Sequence, residues 1–245
     1  GKLPALIYLH EYDYSKGLSS YHNLQSFFEG MTDLGYVVFS YDMIGFGNRI
    51  EEGTRFYERY PNWSKMGKMV ADVKGAVDAL TRLDFVDPTK ILAGGYALGA
   101  TVSLYASALD ERIAGVVSVS GFSPWRSATR DRGTEGIKAF SHLHGLIPRL
   151  GFFVGNENRI PYDYTEILGS IAPRPLLLIA PKLDQTANHH DIRASVTEAG
   201  KIYKFFGAPD QLILNSPDDF NRFSIEMQKI IYDWAGKFAR PASNK

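Results

Sequence analysis

Residues 95–99 read Gly95-Tyr96-Ala97-Leu98-Gly99, with glycines two positions either side of an alanine, between an apolar β-rich run and a run of helical period. Glycines at that spacing let a strand and the following helix approach closely around a tight turn, which lifts the central side chain clear to attack a carbonyl carbon. That central residue is ordinarily serine. Ala97 offers a methyl group without a lone pair, so the turn has the build of acyl-transfer chemistry without its nucleophile. A second chemistry is suggested by two carboxylates. Glu11 and Asp184 each follow an apolar run of strand type, and close carboxylates drive one pKa upward, so that an acid and a base coexist at neutral pH. The structural alternative has Glu11 capping a loop and Asp184 holding a backbone amide or Arg222.

These residues need a scaffold to bring them together. Short apolar runs alternate with helical-period segments along the whole chain, the pattern of a mostly parallel sheet covered by helices on both faces. Strands are expected over residues 5–9, 36–41, 90–94, 113–120, 175–180 and 211–214. Met66, Met69, Val70, Val73, Val77 and Leu80 recur at three- and four-residue steps and predict a helix over 64–80 with one buried stripe, its methionines core. Further helices are expected over 19–34, 98–109, 190–205 and 222–238. Residues 122–164, rich in Gly, Arg and His, break the alternation between two strands of the C-terminal half. Ligands of open α/β sheets bind beyond the strand C-termini, so this insertion is expected to cover the crevice as a lid. Residues 1–245 are expected to form one domain.

Lys plus Arg and Asp plus Glu both number 27, giving a formal net charge of zero, and no stretch concentrates basic residues. Neither nucleic acid nor a membrane surface is therefore an expected partner. The absence of cysteine excludes disulfides, thiolate nucleophiles and Cys-ligated metals, and leaves cytoplasm and periplasm both open. No apolar run reaches the roughly 18 residues of a membrane span, so a soluble protein is expected. No cofactor or metal is implied, and the oligomeric state stays open.

The whole of this pattern resembles the α/β-hydrolase superfamily, and within it the dienelactone hydrolase and acetyl xylan esterase-like branch. The resemblance implies an α/β-hydrolase fold with a triad in the order nucleophile, acid, histidine. Pro175 to Asp184 is similar to the family's strand and acid loop, which puts Asp184 in the acid slot. The histidine of related esterases stands before a phenylalanine, with a tryptophan thirteen residues on. Asn221-Arg222-Phe223 with Trp234 follows that pattern and puts Asn221 in the histidine slot. An amide has no useful basicity at neutral pH, so a serine restored at position 97 would still lack its activator. Two losses at separate positions fit natural divergence better than a single deliberate substitution. A turnover of about 10 per second, cut roughly a million-fold by loss of a triad, leaves about one event in days. His10-Glu11-Tyr12 is similar to the start of the dienelactone hydrolase oxyanion loop, in which the glutamate reaches into the pocket. The resemblance implies an oxyanion hole from the backbone N–H groups of Tyr12 and Leu98.

Other polar residues carry two readings each. His142 and His144 bring an imidazole over the site, or serve the packing of the lid; no third ligand stands near them for zinc. His189 and His190 are expected to open a helix and face solvent. Arg49, Arg126, Arg132 and above all Arg159 bind an anionic substrate such as a uronic acid, or pair with local carboxylates such as Asp163 and Glu157. Asp42 resembles the residue that holds the turn after the family's second strand. Tyr12, Tyr14, Phe46, Tyr96, Phe122, Trp125 and Tyr162 fall in loops of the crevice, and Tyr96 and Trp125 are the candidates to meet a sugar ring. The expected function is that of the carboxylic-ester hydrolase lineage with its serine mechanism disabled, toward a small-molecule or oligosaccharide ester-like ligand. Two alternatives remain: a noncatalytic carbohydrate- or acid-binding module, and an acid/base or lyase-type enzyme using Glu11 and Asp184.

Overall fold

The computed structural model describes residues 1–20, 24–127 and 136–239. The chain runs β1 (Leu3–Leu9), α1 (Leu24–Asp33), β2 (Val37–Ser40), α2 (Ile50–Gly53), α3 (Phe56–Arg59), α4 (Lys65–Leu80), β3 (Val86–Tyr96) and α5 (Leu98–Leu109). It continues through β4 (Gly115–Val119), α6 (Gly136–Lys138), α7 (Tyr164–Ile171), β5 (Leu176–Ile179), α8 (His189–Phe205), β6 (Leu212–Asn215) and α9 (Ile225–Ala239). All strands pair in parallel, in the order β2-β1-β3-β4-β5-β6. Both faces of such a sheet are covered, so its inner strands read as continuous apolar runs; Leu176–Ile179 is buried at every position. One core beneath α4, α5 and α7 holds Ile7, Val73 and Val116, and the other, beneath α1 and α9, holds Phe27, Leu92 and Met227.

The register fixes where chemistry can gather. Leu9 pairs with Gly95, Tyr96 with Val119, Val119 with Ile179, and Ile179 with Asn215, so five strands end level and release their following loops at one edge. Three boundaries differ from expectation by three residues or more. β3 begins at Val86, because a register shift between Leu3 and Ala5 brings Val86 against Leu3. The first helix begins at Leu24, since Gly17–Ser20 is a separate 3-10 turn within which Leu18 N donates to Asp42 Oδ1 at 2.7 Å. α9 begins at Ile225, because Asp219 Oδ1 accepts from Phe220 N (2.8 Å) and Arg222 Nε (2.7 Å) and holds those residues in a turn.

The described part of the 122–164 segment is built of short helical turns: α6, a π-helical turn at Ala139–Leu143, and 3-10 turns at Pro148–Phe153 and Glu157–Arg159. Asp163 ties its two ends together. Its Oδ1 accepts from Trp125 N (2.9 Å) and Tyr164 N (2.8 Å), its Oδ2 accepts from Arg126 N (2.8 Å), and it forms a capping box with Glu166 at the start of α7.

Candidate active site

The turn between β3 and α5 has the strained backbone its sequence implies: Ala97 sits at φ 48°, ψ −113°, a region L-residues rarely enter. Packing enforces the turn. A Cβ on Gly95 would lie 2.4 Å from Leu9 O, and one on Gly99 only 2.0 Å from the same oxygen. Ala97 N donates to Val119 O at 2.9 Å, locking the turn to the end of β4. Ala97 thereby forms part of the wall of a cavity of about 150 Å³ that also meets Asp184, Thr186 and Asn221.

Those three residues form one hydrogen-bonded chain. Asp184 Oδ1 accepts from Thr186 N (2.8 Å) and from Thr186 Oγ1 (2.7 Å), and Asn221 Nδ2 donates to Thr186 Oγ1 at 3.3 Å. The threonine hydroxyl thus stands between the carboxylate and the amide. Arg222 does not take Asp184, being paired with Asp219. Asn221 Oδ1 and Ser120 Oγ are buried at this site without a hydrogen-bond partner. The rings of Tyr12, Phe122, Trp125 and Phe140 also line the cavity. Trp125 is 1% exposed and packs on Tyr164 (centroids 5.0 Å apart) and Phe140 (5.4 Å).

Leu98 is the first residue of α5, and N–H groups of a helix's first turn have no acceptor within the helix. Tyr12 reaches the cavity from the loop after β1, which His10 holds in place. The ring of His10 is fully buried; its Nε2 accepts from Met43 N (3.0 Å), which leaves Nδ1 to donate to Glu11 O (2.7 Å). Burial depresses the His10 pKa and fits this neutral form. Glu11 does not line the cavity, so the structure does not bring Glu11 and Asp184 together on its wall.

Two candidate sugar contacts are displaced from the cavity. Tyr96 points into the core beneath α1 and α9, 8% exposed and stacked on Phe223 with centroids 5.9 Å apart, because alternation along β3 turns it away from the loops. Arg159 is exposed on its 3-10 turn and pairs with neither Asp163 nor Glu157, which serve backbone amides instead. Arg49 is held by Glu52 and Asp72, Arg126 by Glu166 and Ile160 O, and Arg132 lies outside the described residues. His144 stacks on Tyr12 (4.3 Å) and meets Tyr14 Oη through Nδ1 (2.8 Å), while His142 turns to Ser141 Oγ (2.8 Å). Among the described residues no group of three His, Asp or Glu is placed to hold a metal. His190 is exposed, and His189 binds Ser216 Oγ at 2.8 Å. Asp42 holds its turn, accepting from Leu18 N and Asn48 N.

Residues 19–207 match the family model described as glucuronyl esterase, fungi. The chain belongs to the glucuronyl esterase family. Among curated relatives, it is 25% identical over 198 residues to the polyketide transferase ATR5 of Stachybotrys chlorohalonatus, covering 61% of this chain and 62% of that protein. It is 25% identical over 221 residues to the putative hydrolase YtaP of Bacillus subtilis, covering 86% of this chain and 70% of that one. The chain thus spans under two thirds of the length of the first of these relatives. In structure it resembles a carbohydrate esterase family 15 glucuronoyl esterase from Caldicellulosiruptor kristjansonii, with a TM-score of 0.71 at 21% identity, covering 96% of this chain and 68% of that one. The fold is that of the α/β-hydrolases, and the lineage that of carboxylic-ester hydrolases.

Four residues that shape this glucuronyl esterase-family site went unremarked as such in the sequence. Thr186 sits two positions after Asp184, the spacing at which an aspartate side chain turns back on the backbone. Asp163 and Glu166 have capping-box spacing. His10 carries no local signal; its role depends on Met43, far away in the chain.

Proposed function

We propose that this member of the glucuronyl esterase family is a pseudo-esterase, which binds an ester-bearing carbohydrate in the cavity and does not cleave it. The observation that carries this reading is the placement of Ala97, on a nucleophile-elbow backbone, in the same cavity wall as the Asp184–Thr186–Asn221 chain. In this reading Ala97 fills the nucleophile slot, Asn221 the histidine slot and Asp184 the acid slot. The amides of Tyr12 and Leu98 face the ester oxygen and the 122–164 segment acts as a lid, while Trp125, fully buried against Tyr164 and Phe140, backs the aromatic wall rather than meeting the sugar. His10-Glu11 is the feature that likens the chain to the dienelactone hydrolase branch.

Without a basic side chain at position 221, the Asp184–Thr186–Asn221 chain has no imidazole to take a proton from a nucleophile and pass it on. What survives is recognition. The described lining residues include Asp184 and no lysine, arginine or histidine, which favours an uncharged ester or polyol over a free carboxylate. Buried Asn221 Oδ1 is an acceptor that a sugar hydroxyl would satisfy. The acid/base alternative draws no support from the cavity, because Glu11 does not line it.

The test is to incubate the chain with the methyl ester of a glucuronate-branched xylooligosaccharide, following binding by calorimetry and products by mass spectrometry over a day. Saturable binding without product is expected; turnover by the unaltered chain overturns the reading. The double variant Ala97→Ser/Asn221→His is expected to cleave the ester at least about 100-fold faster than Ala97→Ser alone, the scale of a general base.

A further inference from the structure

A second groove lies between the 57–64 stretch and the 122–164 segment, with a volume of about 260 Å³, lined by Tyr57, Asn62, Trp63, Ser64, Pro148 and Arg149 among others. Trp63 in its wall is exposed, as is Tyr60 beside the groove. Trp63 is 52% and Tyr60 49% exposed, and their rings lie 6.4 Å apart, inclined by 43°. One face of Tyr60 is covered by the Arg59 guanidinium, 5.8 Å from the ring centroid, and that guanidinium also donates to Thr54 O (2.9 Å). Arg149 and Asn62 are exposed and make no side-chain hydrogen bond or ion pair among the described residues. The groove therefore presents an indole face, a free amide and a free guanidinium.

We propose that this groove is a carbohydrate subsite for an acidic oligosaccharide, with a sugar ring on Trp63 and a uronate carboxylate on Arg149. An exposed indole flanked by amide and hydroxyl groups suits a pyranose, which offers an apolar C–H face and a polar rim. A guanidinium takes a carboxylate in a bidentate pair. The groove's place relative to the cavity supports the same occupant. Tyr57 Oη donates to Gly145 O and Met66 N to Leu146 O (3.1 Å), fixing one wall against the other. Two residues lie between His144, stacked on Tyr12 at the cavity, and Ile147 in the groove, so their Cα atoms are at most about 11 Å apart. A short oligosaccharide bridges that distance. The proposal rests on the cavity reading for the kind of polymer, and divides the recognition: uncharged ester in the cavity, free uronate in the groove.

Calorimetry tests it, using the whole chain, xylotriose carrying one glucuronate branch as free acid, and xylotetraose as the neutral control. The acid is expected to bind about tenfold tighter than xylotetraose, and Trp63→Ala to weaken the acid at least about tenfold. Arg149→Gln is expected to bring the two ligands within about twofold of each other. Ala187→Trp, which fills the first cavity from its wall, is expected to leave acid binding in place. Unchanged affinity in both groove variants, with binding lost in Ala187→Trp, would overturn the subsite and leave the cavity reading standing. Failure of the unaltered chain to prefer the acid also overturns it.

Discussion

At the end of β3, residues 95–99 have a backbone that an attacking side chain would need, whereas across the cavity the Asp184–Thr186–Asn221 wall has the hydrogen bonds of an ordinary loop. The two regions answer to different forces. Gly95 and Gly99 are held by close packing against Leu9 O, so the turn survives whatever side chain stands at its apex. The wall depends on side-chain identity, and under the proposed reading an asparagine stands in the place of a base without disturbing any strand. Architecture and chemistry are thus separable in this fold, the first anchored in the sheet and the second in exchangeable loop residues.

The sharpest way to break that separation is to restore the chemistry without touching the architecture. Ala97→Ser/Asn221→His is expected to raise ester cleavage about 1,000-fold over the unaltered chain, equivalent to about 4 kcal/mol of barrier, measured as initial rates on an activated acetate ester. No gain from a folded double variant would show that the wall no longer places position 221 for catalysis. The converse disturbs architecture alone. Gly99→Ala drives a methyl group into Leu9 O and is expected to cost roughly 3 kcal/mol, lowering the melting temperature by about 6–12 °C in a chain of this size. Asp163→Ala strips three backbone amides of their acceptor at the foot of the 122–164 segment. A loss of about 2 kcal/mol by chemical denaturation is expected, with Asp163→Asn recovering part of it.

His10 sharpens the comparison through pH. Its folded-state pKa lies below the usual 6.5 because burial disfavours the charged ring. The unfolded chain then binds the extra proton more readily. The contribution of His10 is therefore complete above pH 6.5 and declines as pH falls below it, with a slope of at most about 1.4 kcal/mol per pH unit. Denaturation midpoints at pH 7.5 and 5.5 should show this decline, and His10→Asn should flatten it. An undiminished slope in that variant would assign the effect to another group, such as His189, whose pKa burial also lowers.

The sheet was legible because a parallel strand buried on both faces must be apolar throughout, and the elbow because glycine spacing reports close backbone approach. Tyr96 misled for the same reason the elbow was readable. Proximity in sequence to Ala97 says nothing about which face of β3 the ring takes, and alternation sends it into the core with Phe223. Arg159 misled because a charge in a loop has no periodicity to orient it. Asp184 and Asn221 came to one wall as expected, but the Thr186 bridge between them arises from a local turn that no long-range pattern encodes.

That bridge supplies the smallest and most specific effect. Thr186 is exposed, so replacing its hydroxyl with a methyl group in Thr186→Val is expected to cost under about 1 kcal/mol of stability. Its consequence falls on the ligand instead. Asn221 Nδ2 loses the acceptor that orients it, which frees the amide to turn within the cavity wall. Affinity for the esterified oligosaccharide should fall about threefold to tenfold, and Thr186→Ser should restore it, since serine keeps the hydroxyl between carboxylate and amide. Equal binding by the valine and serine variants would show that the wall recognises its ligand by shape alone. In that case the asparagine would be a vestige of the lost base, with no part in holding the sugar.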